Sequence, residues 1–510
     1  MSRFNEVAEN QRRTVNEEGA VAYIGLDPEQ QLYSVTACNL LQDTFYKKTD
    51  QTIATILDLI PKCDPQFVAN LAVYLRKDMY LRSVPLVLLV GLALNDKLTA
   101  SMVSRVVSRA DEIKELLAAW QGIKGKGGHD IRKIPNALKK GIAESFSKFN
   151  SYQFRKYDKQ SKEKITFKDV LCLCHPKPRT GEESSVYKQI LEDALDPITT
   201  WEVDISAAGS DLVAKKAAWE NLLDTNSIPY MAALRNIKNM LKAGISEEHI
   251  QKLIALLENE QQILRSKQFP FRWYSAFARL MEERDPEIQM NMNRFQEVFE
   301  KALIISIDNI PGIGDLKKEA TLIACDVSGS MNDPLSKNSS IRLIDVGILL
   351  GRMLAKKCGK VITGVFGNDW SPCSFGNQII GGVQLPSVGL STYGYRIIDW
   401  LISGNLHVDN VILFSDSQVF SDLGLGRHSH FYGARDSNVN RSAFERSWNK
   451  YKQLNPTAKV YMFDLSSYST YPIDLISPGV YMVSGWSSNI FSVLGGLDSW
   501  KSLKRHIMGM

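Results

Sequence analysis

The amino-acid sequence predicts two kinds of architecture in one multidomain chain, an all-α helical-repeat module followed by a doubly wound α/β domain. Three observations predict it. The chain has 510 residues, more than the roughly 250 to 300 at which a single core stops growing. Apolar residues recur at helical spacing from about residue 20 to residue 305. Beyond the Pro- and Gly-punctuated link NIPGIGDLKKEA, short apolar runs alternate with amphipathic stretches. The expected domains are residues 1–310 and 318–510.

In the first part, Ile53, Ile56, Leu57 and Ile60 follow the i, i+3, i+4, i+7 rule, as do Ile250, Leu253, Ile254 and Leu257. Each set makes one apolar stripe that a helix must bury against a neighbour. Asp64 before Pro65 reads as an N-cap with proline at the first helical position, and Gly244 after MLKA reads as a helix stop. Helix following helix through short connections is the pattern of stacked antiparallel pairs. The run Val84 to Leu94 is too short for a membrane span of about 18 residues or more.

In the second part, strands are expected at Thr321–Cys325, Lys360–Phe366, Val411–Phe414, Lys459–Asp464 and Val480–Val483. Helices are expected between them at Ile341–Cys358, Gly394–Ile402 and Ser442–Leu454. Strands apolar on both faces and alternating with helices imply a parallel sheet covered on both sides.

The polar N-terminal stretch lacks the apolar segment of a secretory signal. The cysteines at 38, 63, 172, 174, 325, 358 and 373 are odd in number and scattered, as expected of reduced thiols. A cytoplasmic location follows as the expectation. Cys172, Cys174 and His175 stand close together, but no second pair of ligands lies near enough in sequence for a zinc site, so core packing is expected there.

The net charge of +5 is unevenly spread. Residues 101–180 hold 18 Lys and Arg against 8 Asp and Glu, a local +10, and the rest of the chain sums to −5. Lys124, Lys126, Arg132, Lys133, Lys139 and Lys140 form one cluster; Arg155, Lys156, Lys159, Lys162 and Lys164 form a second. Phe146, Phe149, Tyr152, Phe154 and Tyr157 are interleaved between them. Cations meet phosphates and exposed aromatics hold unpaired bases, so the segment is a candidate nucleic-acid surface. The bland alternative is a solvated helix face whose aromatics turn into the core.

Ligands of open parallel sheets bind beyond the carboxyl ends of the strands. Three polar clusters are expected at that edge: Asp326-Val327-Ser328-Gly329-Ser330, Ser391-Thr392 and Ser415-Asp416. Mg²⁺ prefers about six oxygen ligands and keeps several waters, which hydroxyls and a few carboxylates accommodate. Asp326, Ser328, Ser330, Thr392 and Asp416 are therefore the candidate metal set. A shell rich in neutral hydroxyls leaves the ion positive enough to accept an acidic group from a partner. One such cluster alone is also what a helix N-cap looks like; three in order point to a metal.

The order Asp-x-Ser-x-Ser, then Thr, then Asp resembles the metal-ion-dependent adhesion site of von Willebrand factor A domains, with Tyr393 where many such domains carry Asp. The stretches ITFKDVLCLCHPKP around His175, IPYMAALRNIKNM around Arg235 and Asn236, and NALKKGIAESF around Lys139 and Lys140 resemble the module shared by telomerase-associated, Ro and vault (TROVE) proteins. Together the two resemble the Ro ribonucleoprotein family and its bacterial relatives. That resemblance implies a HEAT-like repeat ring closed by an A domain, monomeric in form. It also implies binding of small noncoding Y-like RNAs and of the single-stranded ends of misfolded RNAs, with an exoribonuclease as partner in bacteria. His175 and Lys156 match positions associated with Y RNA binding. The candidate RNA-binding set is accordingly Lys124, Lys126, Arg132, Lys133, Lys139, Lys140, Lys156, Lys159 and His175.

The competing reading is a Mg²⁺-dependent protein-binding scaffold that grips an acidic ligand through the A domain. Catalysis is not expected, since GIKGKGGHD lacks the spacing of a phosphate-cradling loop and the hydroxyl-rich metal set offers no general base.

Overall fold

The computed structural model describes residues 13–15, 21–23, 28–37, 49–125, 134–158, 165–197, 200–268, 271–308, 314–334, 341–382, 384–416, 443–465, 479–484 and 500–510. These fall into two compact units. Of the described residues, one gathers those from 28 to 37, from 49 to 218 and from 501 to 510; the other gathers 13–15, 21–23 and those from 219 to 500.

The first unit is helical. Its elements are α1 (Pro28–Ala37), α2 (Thr49–Leu59), α3 (Pro65–Lys77), α4 (Ser83–Leu94), α5 (Ala100–Val106), α6 (Ala110–Gly125), α7 (Asn136–Phe146), α8 (Ser151–Lys156), α9 (Phe167–Cys174), α10 (Gly181–Leu191) and α11 (Trp201–Ala207). The expected cap is present: the Asp64 carboxylate accepts from the Gln66 amide at 2.8 Å, with Pro65 opening α3. Helix α4 is apolar all round, and Val84 to Ala93 are all buried, which makes it the unit's central helix. Among the described residues, no helix is long and apolar enough to cross a membrane.

Close helix approaches are set by small residues. A Cβ on Gly141 of α7 would lie 2.4 Å from Val103 Cβ and 2.7 Å from the Ala100 carbonyl oxygen, so glycine lets α7 press against α5. The C-terminal residues 501–510 belong to this unit as well. Ile507 is fully buried, the Asn70 amide donates to the Met508 carbonyl at 3.1 Å, and His506 meets Tyr74 edge to face at 5.9 Å.

The second unit contains α13 (Tyr230–Lys242), α14 (Glu247–Glu258), α15 (Glu260–Ser266), α16 (Phe271–Met281) and α17 (Pro286–Asp308), with the division falling inside α12 (Leu212–Asp224). Gly244 takes a φ of +69° after α13, the left-handed stop that glycine permits. A short antiparallel hairpin, β1 (Arg13–Val15) and β2 (Val21–Tyr23), is also present.

The α/β domain follows. Strands β3 (Ala320–Asp326), β4 (Lys360–Phe366), β5 (Trp370–Pro372), β6 (Asn410–Ser415), β7 (Lys459–Asp464) and β8 (Val480–Ser484) form one sheet in the order β5-β4-β3-β6-β7-β8. All pairs are parallel except β4 with β5. Helices α18 (Leu343–Ala355), α19 (Tyr395–Ser403) and α20 (Ala443–Leu454) lie between the strands in sequence. Ile397, Ile398, Leu401, Phe444 and Trp448 pack against Leu322, Val411, Leu413 and Val460 in one apolar cluster. The chain order reverses between β3 and β6, and the gap between their carboxyl ends is where open sheets bind ligands.

Candidate metal centre and cationic surface

The carboxyl end of β3 delivers Asp326, whose side chain is fully buried. Its two oxygens are held separately. The Ser328 amide donates to Oδ1 at 2.8 Å, and the Ser415 hydroxyl at the end of β6 donates to Oδ2 at 2.6 Å. The Ser328 and Ser330 hydroxyl oxygens stand 3.4 Å apart, so they converge as the two-residue spacing predicts. The Gly329 amide donates to the Leu390 carbonyl at 3.0 Å, which fastens the segment before Thr392 to the same edge. Ser328, Thr392 and Asp416 are all buried.

Burial, and after it the charge of Asp416, pushes the Asp326 carboxyl up to about 7. Two buried carboxylates, the charge of one raising the other, beside hydroxyls are the kind of oxygen donors that hard cations prefer. Among the described residues no group of three or more His, Cys, Asp or Glu is assembled, and the oxygens gathered at this edge are hydroxyls and carboxylates.

Sequence reasoning passed over two residues here. Ser415 was grouped with Asp416, but nothing in the sequence shows that its hydroxyl reaches across to a strand 89 residues away. Asp464, which pairs with Ser415 in the β6–β7 ladder, is also fully buried. Its place after an apolar run is the signal that would have found it.

In the helical unit, the cationic segment divides into structural and available charges. Lys114 is buried, donates to the Tyr157 carbonyl at 2.6 Å and lies 4.2 Å from the Phe167 ring centroid. Lys148 donates to the carbonyls of Ser104 and Val107, and burial, followed by the charge of Lys77, pulls its ammonium below the ordinary lysine range. Arg109 pairs with Asp111 at 3.0 Å, and Lys168 with Asp193 at 3.0 Å. These cations have partners within the fold, Lys114 in the interior and Lys148 and Lys168 at the surface.

Lys139, Lys140 and Lys156 are different. Lys140 and Lys156 are exposed and Lys139 is half-buried, and none of the three has an ion-pair partner among the described residues. Lys139 stands close enough to the end of α9 to pull against the burial that raises the Cys174 thiol to about 11. His175 follows Cys174 as the C-cap, exposed and left-handed at φ 49°. The structure therefore brings Lys139 and His175 to neighbouring helix ends. Cys172 is exposed while Cys174 is buried, so the two thiols diverge from α9. Lys126, Arg132, Lys133, Lys159, Lys162 and Lys164 lie outside the described residues, and Lys124 is described in backbone only.

The interleaved aromatics separate sharply. Phe146, Phe149 and Phe154 are buried and pack on one another and on Phe167, so the core claims them. Tyr157 is half-buried, with the Arg109 guanidinium 4.7 Å from its centroid. Tyr152 alone of the five is exposed, at 50%.

Comparison with known proteins matches parts of the sequence and the fold. A model of the TROVE domain matches residues 194–323. The telomerase protein component 1 of Mus musculus is 40% identical over 77 residues, 15% of this chain and 3% of that protein. The RNA-binding protein RO60 of Caenorhabditis elegans is 24% identical over 218 residues, 40% of this chain and 32% of that one. The chain thus spans less than a third of either relative's length in those matches. In fold, the chain is similar to the crystal structure of the Deinococcus radiodurans RO (RSR) protein, with a TM-score of 0.60 at 14% identity, covering 93% of this chain and 100% of that one.

Proposed function

We propose that this chain is a member of the Ro ribonucleoprotein family, an RNA-binding protein that forms a ribonucleoprotein and acts in noncoding-RNA quality control in the cytoplasm. Its RNA ligands are small noncoding Y-like RNAs and the single-stranded ends of misfolded RNAs. The observation that carries the reading is the surface of α7 to α9, where Lys139, Lys140, Lys156 and His175 stand accessible while neighbouring cations are bound into the fold.

The mechanism is binding. Ammonium groups without carboxylate partners displace counterions from phosphates at little cost, whereas Lys114 and Lys148 would have to give up hydrogen bonds to backbone carbonyls. Selection is by shape, because a cationic helical surface reads backbone and exposed bases in preference to base-pair edges. An exoribonuclease is a fitting partner, since a protein that gathers the single-stranded ends of misfolded RNAs can present them for degradation.

The A domain supplies a Mg²⁺ site in this reading. Ser328, Ser330, Thr392 and Asp416 would hold the ion, with Asp326 fixed behind them by Ser328 and Ser415. A bound ion of this kind supplies a positive centre that accepts an acidic side chain of a protein ligand. The buried carboxylate pair also supports the second reading, a Mg²⁺-dependent scaffold, and the two are separable.

The deciding experiment is a salt titration of the full chain with an RNA carrying a stem and a free 3′ end. Several phosphate contacts predict a fall of about 0.7 log units in affinity per log unit of salt for each single-strand contact. An affinity indifferent to salt, together with Mg²⁺-dependent capture of an acidic peptide, would favour the scaffold.

A further inference from the structure

We propose that Tyr152 is a stacking platform for one unpaired RNA base, with Lys156 receiving the adjoining phosphate. The inference deepens the RNA-binding reading and rests on it.

Four observations carry it. Tyr152 is 50% exposed, whereas Phe146, Phe149 and Phe154 in the same stretch are buried. The Lys156 ammonium lies 5.9 Å from the Tyr152 centroid and 5.8 Å from that of Tyr157, so one cation hovers between two rings. Tyr157 is already capped by Arg109, which leaves Tyr152 as the ring of the pair able to take a base. Finally, α8 is a fixed mount: the Asn150 side chain accepts from the Gln153 amide at 3.0 Å and the Gln153 side chain accepts from the Asn150 amide at 3.1 Å. From the same turn Phe154 is driven into the core, 5.1 Å from Phe167 and 5.5 Å from Phe146.

The chemistry selects the ligand class. A half-exposed phenol ring beside an ammonium offers a π-face and a positive charge at the spacing of a base and its phosphate, and every base has a face that fits. A base inside a duplex has both faces covered by its neighbours. The platform therefore takes single strands, or flipped and bulged bases, and ignores duplex. The surrounding segment's charge of +10 suits a polyanion and opposes a basic protein partner.

The test uses the full chain and two fluorescein-labelled RNAs of equal length, one a single strand of mixed sequence and one a blunt duplex. Tyr152→Ala is expected to weaken single-strand binding about tenfold, with its salt dependence unchanged and duplex binding unaffected. Tyr152→Phe keeps the ring and is expected to bind like the parent. Lys156→Ala is expected to lower the salt slope for the single strand by about 0.7. Equal binding of the single strand by parent and Tyr152→Ala would overturn the platform while leaving the RNA-binding reading standing, as would an equal loss for strand and duplex or a loss in Tyr152→Phe. Failure of the parent to bind either RNA at low salt would overturn the underlying reading itself. Matching melting curves of the parent and both Tyr152 variants establish that the ring, exposed as it is, was not removed at the expense of the fold.

Discussion

The Ser415 hydroxyl donates to Asp326 Oδ2 at 2.6 Å, tying together the carboxyl ends of the two central strands. It opposes the two influences that raise the carboxyl, burial and the charge of Asp416. The folded carboxyl titrates near 7, against an ordinary value of 3.8. Below about pH 4 it is neutral in folded and unfolded chains alike and its contribution to stability is complete; as pH rises toward 7, the unfolded chain ionises first and that contribution is lost. Metal-free protein compared with Asp326→Asn by thermal melting should therefore lose ground steadily from pH 5 to pH 7 and level off above. Mg²⁺ should raise the parent's Tm more at pH 8 than at pH 5 and leave the variant unmoved. An equal Mg²⁺ effect at both pH values would remove Asp326 from the site.

Removing the hydroxyl bears on the same pair. Ser415→Ala deprives an ionised buried carboxylate of a donor, a loss of about 1.5 to 3 kcal/mol for hydrogen bonds to charged groups. The pH window of the preceding comparison should move upward, and more Mg²⁺ should be needed for half-maximal stabilisation. A variant with unchanged Mg²⁺ response would show that the bond does not position Asp326.

Gly141 controls the seating of the helix that carries Lys139 and Lys140. Its α-carbon sits so close to Val103 and the Ala100 carbonyl that a methyl group has nowhere to go. Gly141→Ala should destabilise the helical unit by about 1 to 3 kcal/mol, the range for overpacking, despite alanine's higher helix propensity. Urea unfolding followed by circular dichroism measures it; an increase in stability would mean that α5 and α7 yield.

How much of this was legible beforehand depended on range. Local signals read true: Lys360–Phe366 and Lys459–Asp464 are strands with the expected ends, and Asp64 caps α3 as its sequence predicts. The helix expected at Ile341–Cys358 is shorter, Leu343–Ala355. Strand β5 was not anticipated because three residues carry no periodicity; its place against β4 depends on Gly364, where a Cβ would lie 2.5 Å from the Ser371 carbonyl oxygen. Likewise, spacing put five aromatics among the lysines, but only packing shows that the phenylalanines turn inward and Tyr152 outward. The Ser415 bond joins residues distant in sequence, beyond the reach of any local rule.

Tyr230 and Trp273 make a comparable long-range pair among the helices of the second unit. The indole nitrogen donates to the phenol oxygen at 2.9 Å, and the phenol donates to the Leu257 carbonyl at 2.9 Å, with Trp273 wholly buried. Burial, partly offset by the Trp273 bond, pushes the Tyr230 phenol up to about 12, so it stays a neutral donor at all ordinary pH values. Tyr230→Phe preserves the ring and strands both partners, for which the penalty is about 1 to 3 kcal/mol per buried group. A drop in Tm without change in RNA affinity is the expected result; an unchanged Tm would mean that the strands of this network repair themselves.

The division between committed and available cations gives the sharpest test of the proposed RNA surface. Replacing Lys139, Lys140, Lys156 and His175 together should abolish the mobility shift of an RNA with a stem and a free 3′ end while leaving the melting curve close to the parent's, since exposed side chains contribute little to folding. Lys148→Met should do the reverse. It belongs to the same basic segment, yet its ammonium is held by backbone carbonyls of α5 and the turn that follows, and losing it lowers stability by about 0.5 to 1.5 kcal/mol, the net worth of an ordinary hydrogen bond. If net charge alone governed binding, Lys148→Met would weaken it as much as Lys140→Met. Because a lysine tied to backbone carbonyls must break those bonds to reach a phosphate, Lys140→Met should reduce the salt slope by about 0.7 and Lys148→Met should reduce it less.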